Sequence, residues 1–272
     1  MQSLAFVEND NAANSSSIMI NDHDEKDDFS PTSSNDNNGP FVDDIIFEIL
    51  HCFKSLFILQ ICMKISKQWR RVSFQIPLSL SLKPNHFKQV LKSIKLLADC
   101  ECLKNLTSLD LRWNRIGNDG VKHISSSKSL KNSTSLDLYH NLISREGVKY
   151  ISTSEWLTNL ASLDLGYNSI GSRGVKYIAA SETLKNLDDL NLYRNRIGIE
   201  GVKYITTSEF LKNLTSLDLS TNGIGIEGVE FIAASESLKN LTYLNLYHNG
   251  IGSEDVKYFA TSECWKKTTI NL

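Results

Sequence analysis

Several short stretches of this chain have residue types and spacings that could do chemistry. Gly223 to Gly228 reads GIGIEG, the GxGxxG spacing that lets a glycine-rich turn approach a dinucleotide pyrophosphate. Cys100 and Cys102 form a CxC pair that could offer two thiolates to a metal, and His140 and His248 are further ligand types. NLT at Asn105, Asn213 and Asn240, and NST at Asn132, fit the glycan-acceptor pattern. Each has a plainer explanation once equivalent places in the chain are compared. Gly223 fills a place held elsewhere by Arg115, Leu142, Ser169 and Arg196, and no crossover unit of the kind a dinucleotide needs surrounds it. Cys100 and Cys102 share places with Ser181 and Thr183, so small, partly buried side chains are expected there. His140 and His248 lie four repeats apart, roughly 19 Å at the usual strand spacing, too far for one ion. The glycan acceptors recur because the strand start recurs. No paired carboxylates and no nucleophile–base set stand out, so neither catalysis, a metal nor a cofactor is expected.

What makes these places comparable is an internal repeat. Leu109, Leu136, Leu163, Leu190, Leu217 and Leu244 follow one another every 27 residues, and Asn114, Asn141, Asn168, Asn195, Asn222 and Asn249 keep the same register. The unit reads approximately LKNLxxLDLxxNxIGxxGVKYIxxSE. A period in the twenties predicts a stacked array in which each unit buries its apolar face only against its neighbours. Within a unit, LTSLDL alternates as a short strand does, with Leu109 and Leu111 inward. NRIGNDGVKHI then supplies a turn and a short helix whose Val121 and Ile124 face the core. The Gly117 and Gly120 places recur mostly as glycine, consistent with a tight backbone or close packing. The recurring Asn sits where the strand bends away, and its amide can bond backbone groups that the curve leaves unpaired.

This pattern resembles the leucine-rich repeat family, in its ribonuclease-inhibitor-like α/β form, over about residues 76 to 272. The resemblance implies an α/β solenoid with a parallel concave sheet and short convex helices. LSLSLKPNHF, with Leu80, Leu82 and Asn85, reads as an irregular first repeat, since Leu80 precedes Leu109 by 29 residues. At the other end CWKKTTINL is expected to begin another strand, with no polar cap after it.

On the concave side one column reads Asp110, Asp137, Asp164, Asn191, Asp218, Asn245. Stacked carboxylates repel modestly, so either a basic or hydrogen-bonding partner relieves them or Asp is simply the usual filler of this repeat. The next two places carry Arg112-Trp113, Tyr139-His140, Gly166-Tyr167, Tyr193-Arg194, Ser220-Thr221 and Tyr247-His248. Aromatic and arginine side chains are common binding anchors, and the repeat does not require them here. Arg112, Trp113, Tyr139, His140, Tyr167, Tyr193, Arg194, Tyr247 and His248 are therefore the expected protein-partner site, although Trp113 could instead cover a sheet edge. Lys122, Lys149, Lys176, Lys203 and Lys257 read as the solvated side of the helices.

Ahead of the repeats the composition changes twice. Residues 1–39 are dominated by Asn, Asp and Ser and are expected to be disordered. Residues 40–76 are dense in apolar side chains: Ile45, Ile49 and Phe53 form one helical stripe, and Leu59, Cys62, Ile65, Trp69 and Val72 a second. So small a unit has too little interior to hide them all, and surplus apolar surface usually has a partner. DDIIFEIL, a break near KSLFILQ, and then ISKQW resemble the F-box family, with Phe41-Val42 where that family opens with Leu-Pro. The resemblance implies that Val42, Ile46, Leu50, Leu59, Ile65 and Trp69 contact the Skp-type adaptor of an SCF ubiquitin ligase, with residues 77–272 holding a protein substrate. The alternative is that residues 40–76 only cap the solenoid and the chain is a stand-alone repeat scaffold. With 29 basic and 31 acidic residues among 272, no overall field points to nucleic acid or an anionic membrane. The five cysteines lack framework spacing, the start lacks a signal-peptide pattern, and LFILQICM is far short of the ~20 residues that span a bilayer. These features predict an intracellular protein, cytoplasmic or nuclear.

Overall fold

A computed structural model describes residues 78–81, 90–99, 103–252, 255, 257–260 and 263–272. The segments read as a polar tail (1–39) and an F-box-like unit (40–76), with Val42, Ile46, Leu50, Leu59, Ile65 and Trp69, lie outside the described residues. So do Leu82, Asn85, Cys100 and Cys102.

The described residues form a parallel eight-stranded sheet whose order follows the sequence, backed by one helix per repeat. The strands are β1 (Leu78–Ser81), β2 (Leu106–Asp110), β3 (Ser135–Asp137), β4 (Ser162–Asp164), β5 (Asp189–Asn191), β6 (Ser216–Asp218), β7 (Tyr243–Asn245) and β8 (Thr269–Asn271). The helices are α1 (Val90–Ala98), α2 (Gly117–Ser125), α3 (Arg145–Ser152), α4 (Gly171–Ala179), α5 (Gly198–Thr206), α6 (Gly225–Ala233) and α7 (Lys257–Ala260). The expected leucine-rich-repeat solenoid is what the repeats form. Leu80 pairs with Leu109 across a register shift between Leu78 and Ser79, which accommodates the irregular first repeat. From β2 to β7 the partners are 27 residues apart throughout, as in Leu109 with Leu136 and Leu136 with Leu163.

Helices of eight or nine residues and strands of three are too short to persist alone, so stacking must hold them. In one repeat Leu157, Leu160, Leu163, Leu165, Ile170, Val175 and Ile178 are all buried in the continuous core. Each such side chain contributes about 1.5–3 kcal/mol by leaving water, and only because its neighbours cover it. A glycine in the first helical turn of five successive repeats, from Gly120 to Gly228, keeps each turn tight: a Cβ at Gly201 would run into Ile197 of its own repeat, and one at Gly228 into Ile224. GIGIEG is thus a turn and a packing contact of the repeat. On the outer face, Lys122, Lys176 and Lys203 reach over the rings of Tyr150, Tyr204 and Phe231 in the following repeat, at 5.8, 5.6 and 5.0 Å.

Three side-chain ladders run along the array. In the buried one, Asn168 Oδ1 accepts from the backbone N–H of Asn141 and Ile143 at 3.0 and 2.9 Å. Its Nδ2 donates to the carbonyls of Leu138, Leu165 and Gly166. Asn141, Asn222 and Asn249 repeat this scheme. In the second, the hydroxyls of Ser127, Ser154, Ser181, Ser208 and Ser235 donate to the last helical carbonyls of the preceding repeat. The third is exposed: Asn132, Asn159, Asn186, Asn213 and Asn240 donate their amides to carbonyls 28 residues earlier. Asn132, Asn213 and Asn240 are glycan-acceptor places, and their side-chain nitrogens are already engaged in this ladder.

Burial makes the two asparagine ladders unequal. Asn168→Ala strands two buried donors, the N–H groups of Asn141 and Ile143, and one acceptor, Leu138 O, since Leu165 O keeps Asn195 and Gly166 O keeps His140 N–H; it is expected to lower unfolding free energy by about 3 kcal/mol or more. Asn159→Ala removes one exposed bond and should cost less than about 1 kcal/mol. Urea melts of the two variants side by side measure the difference.

Candidate functional site

The concave surface is built where each strand turns toward its helix. Every carboxylate or amide in the Asp column accepts the backbone N–H two residues on: Asp110 from Arg112, Asp137 from Tyr139, Asp164 from Gly166, Asn191 from Tyr193, Asp218 from Ser220 and Asn245 from Tyr247. The column is also neutralised from within. Arg112 lies 3.0 Å from Asp110 and 2.9 Å from Asp137, while Asn191 and Asn245 donate to Asp164 and Asp218 at 2.9 and 2.8 Å. Of the two readings of this column, the sheet's own hydrogen bonds favour Asp as a filler of the repeat, and Arg112, expected as a binding anchor, is engaged by Asp110 and Asp137.

The next residue of each turn is left-handed, with φ between 52° and 62° at Trp113, His140, Tyr167, Arg194, Thr221 and His248. This geometry keeps the backbone in the inter-repeat ladder, since Trp113 N–H donates to Tyr139 O and His140 N–H to Gly166 O, each at 2.9 Å. Glycine would adopt it at least cost, and a bulky L-residue pays about 1–2 kcal/mol. No described repeat uses glycine at this place. The turns therefore hold a column of side chains outward on a rigid backbone.

Most of the expected partner residues meet in one array. Trp113 stacks on His140 with centroids 3.9 Å apart, His140 lies 4.4 Å from Tyr167, and the Arg194 guanidinium sits 4.5 Å over the Tyr167 ring. Beside this row, Tyr139 and Tyr193 lie 6.4 Å apart with planes within 5°, although a whole repeat separates them. Gly166 makes that possible, because a Cβ there would stand 2.8 Å from the Tyr139 ring. Trp113, at 41% exposed, is part of the ridge and not a cover for a sheet edge, because β1 lies beyond β2. Tyr247 and His248 touch each other at 4.1 Å but stand apart, separated from Tyr193 and Arg194 by Ser220 and Thr221.

Burial pushes the Asp164 carboxyl up to about 6, partly offset by the Gly166 N–H bond, and also raises Asp137 and the Tyr139 phenol. Burial pushes Asp110 upward too, but the hydrogen bonds from Arg112 and Ser81 hold it below the ordinary carboxylate value. Reading the residues alone names Asp164 and Gly166 only as members of their columns. A glycine in a column otherwise holding side chains is the signal for Gly166, and nothing in the column sets Asp164 apart from its neighbours. Among the described residues no group of three or more His, Cys, Asp or Glu could hold a metal ion. No described helix is long and apolar enough to cross a membrane.

The raised Asp164 has a definite linkage sign. Against an unfolded value of about 3.9, the folded state keeps its proton longer, so stability present at low pH is lost as pH rises from about 4 through about 6. Asp164→Asn keeps the acceptor for Gly166, and the bond from Asn191 can move to that oxygen as Asn271 bonds Asn245 Oδ1 at 3.0 Å. The variant should be more stable by about 1–3 kcal/mol at pH 7.5, with the gain gone below pH ~4. Urea titrations at the two pH values check it.

A family model described as Leucine Rich repeat matches residues 102–125, 157–179, 210–233 and 237–260. The repeats between the first three matches, 130–156 and 184–209, keep the same register. No curated protein matches the chain. Matched repeats, sheet order and buried asparagines agree: the described residues from β1 to β8 form a leucine-rich-repeat solenoid, and repeats of this kind suggest a protein-binding scaffold.

Proposed function

We propose that this chain is a non-catalytic substrate-recognition subunit of an SCF-type ubiquitin ligase. Residues 40–76 would dock on the Skp-type adaptor, and the concave ridge would hold a protein substrate. The observation that carries the substrate half is the array of Trp113, Tyr139, His140, Tyr167, Tyr193 and Arg194, preset on left-handed turns with Trp113 and Arg194 exposed. Rigid aromatic and arginine side chains lose little entropy on binding and bury much area. The adaptor half rests on the F-box-like order of DDIIFEIL, KSLFILQ and ISKQW. The mechanism is proximity: a tethered substrate has a high effective concentration near the conjugating enzyme.

A second reading, a stand-alone scaffold, is favoured by one observation. β1 begins at Leu78, and in the sequence only Pro77 separates it from the F-box-like segment, the spacing that a solenoid cap would have.

Titration of the full chain with a Skp-type adaptor separates the two. Micromolar or tighter binding, weakened at least about tenfold by a folded Leu50→Asp variant, is the expected result. No binding by the folded chain would sink the ligase reading and leave the scaffold. For a substrate recovered with the full chain, Tyr139→Ala and Tyr193→Ala should each cost about 1–2 kcal/mol of affinity, and the separate Tyr247→Ala less than about 0.5.

A further inference from the structure

Charge around the ridge is segregated. On the inner side, Asp110 and Asp137 share Arg112, and Asp164 is hydrogen-bonded to Asn191. On the outer side Arg115 follows Trp113, Arg196 follows Arg194, and Arg173 lies in the first turn of α4. None of Arg115, Arg173, Arg194 and Arg196 is paired with a carboxylate among the described residues. The nearby acid, Glu146, is bonded to Arg145 at 3.2 Å. Arg173 also reverses its column, which holds Asp119, Glu146, Glu200 and Glu227 in other repeats. The reversal falls in the repeat that carries Tyr167, on which Arg194 stacks. Arg173 and Arg196 line one shallow groove with Arg145, Glu146, Ser144, Ser169 and Ser172, so three arginines there face one carboxylate, which Arg145 already holds.

Resting on the reading of the ridge as the partner site, we infer that its occupant is an acidic segment of a protein partner. An aromatic or aliphatic side chain of that segment lies on the Tyr139–Tyr193 and Trp113–Tyr167 rings. Its Asp or Glu carboxylates face Arg173, Arg194 and Arg196. A basic segment would meet these arginines with like charge and would find the inner carboxylates already engaged. Exposed pairs of this kind chiefly set on-rate, salt sensitivity and choice of partner.

Panning the full chain against a random peptide library tests this, in parallel with Arg194→Glu/Arg196→Glu and Tyr139→Ala/Tyr193→Ala double variants checked for folding by circular dichroism. Peptides enriched on the wild type should carry more Asp and Glu than Lys and Arg. They should weaken roughly tenfold on the arginine variant and in raised salt, and that variant should enrich basic peptides instead. Enriched peptides that need the two tyrosines but are neutral or basic overturn the acidic class and leave the ridge reading intact. Peptides indifferent to the tyrosines, or no enrichment, overturn both. A synthetic peptide of this chain's own stretch DHDEKDDF, residues 22–29, is the competitor. Displacement by it with equal affinity would make the chain its own occupant and overturn a partner in trans.

Discussion

The buried asparagine ladder is the constraint on which the rest of the structure depends. Each strand must turn sharply toward its helix, and the turn leaves backbone groups with no sheet or helix partner. Five backbone groups converge on Asn168, of which only the Leu165 and Gly166 carbonyls have a second partner, in Asn195 and His140 N–H. One amide, with two lone pairs and two N–H donors, serves groups in two successive repeats at once, which no hydroxyl or carboxylate can do. A residue inserted between two rungs would unpair both, so the spacing stays at 27 from Asn114 to Asn249. Where the register slips, between β1 and β2, the irregular strand precedes the first described rung.

The same bonds preset the ridge. Trp113, His140, Arg194 and Thr221, each just before a ladder asparagine, are held left-handed between two inter-repeat bonds, their own N–H on the next repeat and the following N–H on the next asparagine. Their side chains are then free to vary without touching the core. Trp, His, Tyr and Arg occupy four successive turns, and stacking among them offsets part of the backbone strain. Gly166 is the complementary choice. An absent side chain there lets two tyrosines from non-adjacent repeats come together.

Electrostatics divides the face into a structural half and an available half. The Asp column terminates strands, and its charges are met by Arg112, Asn191, Asn245 and backbone N–H groups. Asp164 is the weak rung, more buried than its hydrogen bonds compensate. Arg194 and Arg196, by contrast, spend their charge on no carboxylate in the sheet. Strength of charge in the sequence is thus a poor guide to where charge can act, since geometry decides which groups are already engaged.

The sequence by itself determined the solenoid: period, strand and helix faces, the inward leucines and the backbone role of the asparagines all follow from short-range spacing. Register alone placed the aromatic and arginine residues on one face, because equivalent positions of a one-dimensional array must align. It could not tell which of them touch. That Tyr139 meets Tyr193 and that Arg112 is consumed by Asp110 and Asp137 depend on ring size, a missing Cβ and the tilt between repeats. Only the tertiary structure decided these, because distances below about 6 Å between side chains are fixed by packing rather than by order along the chain.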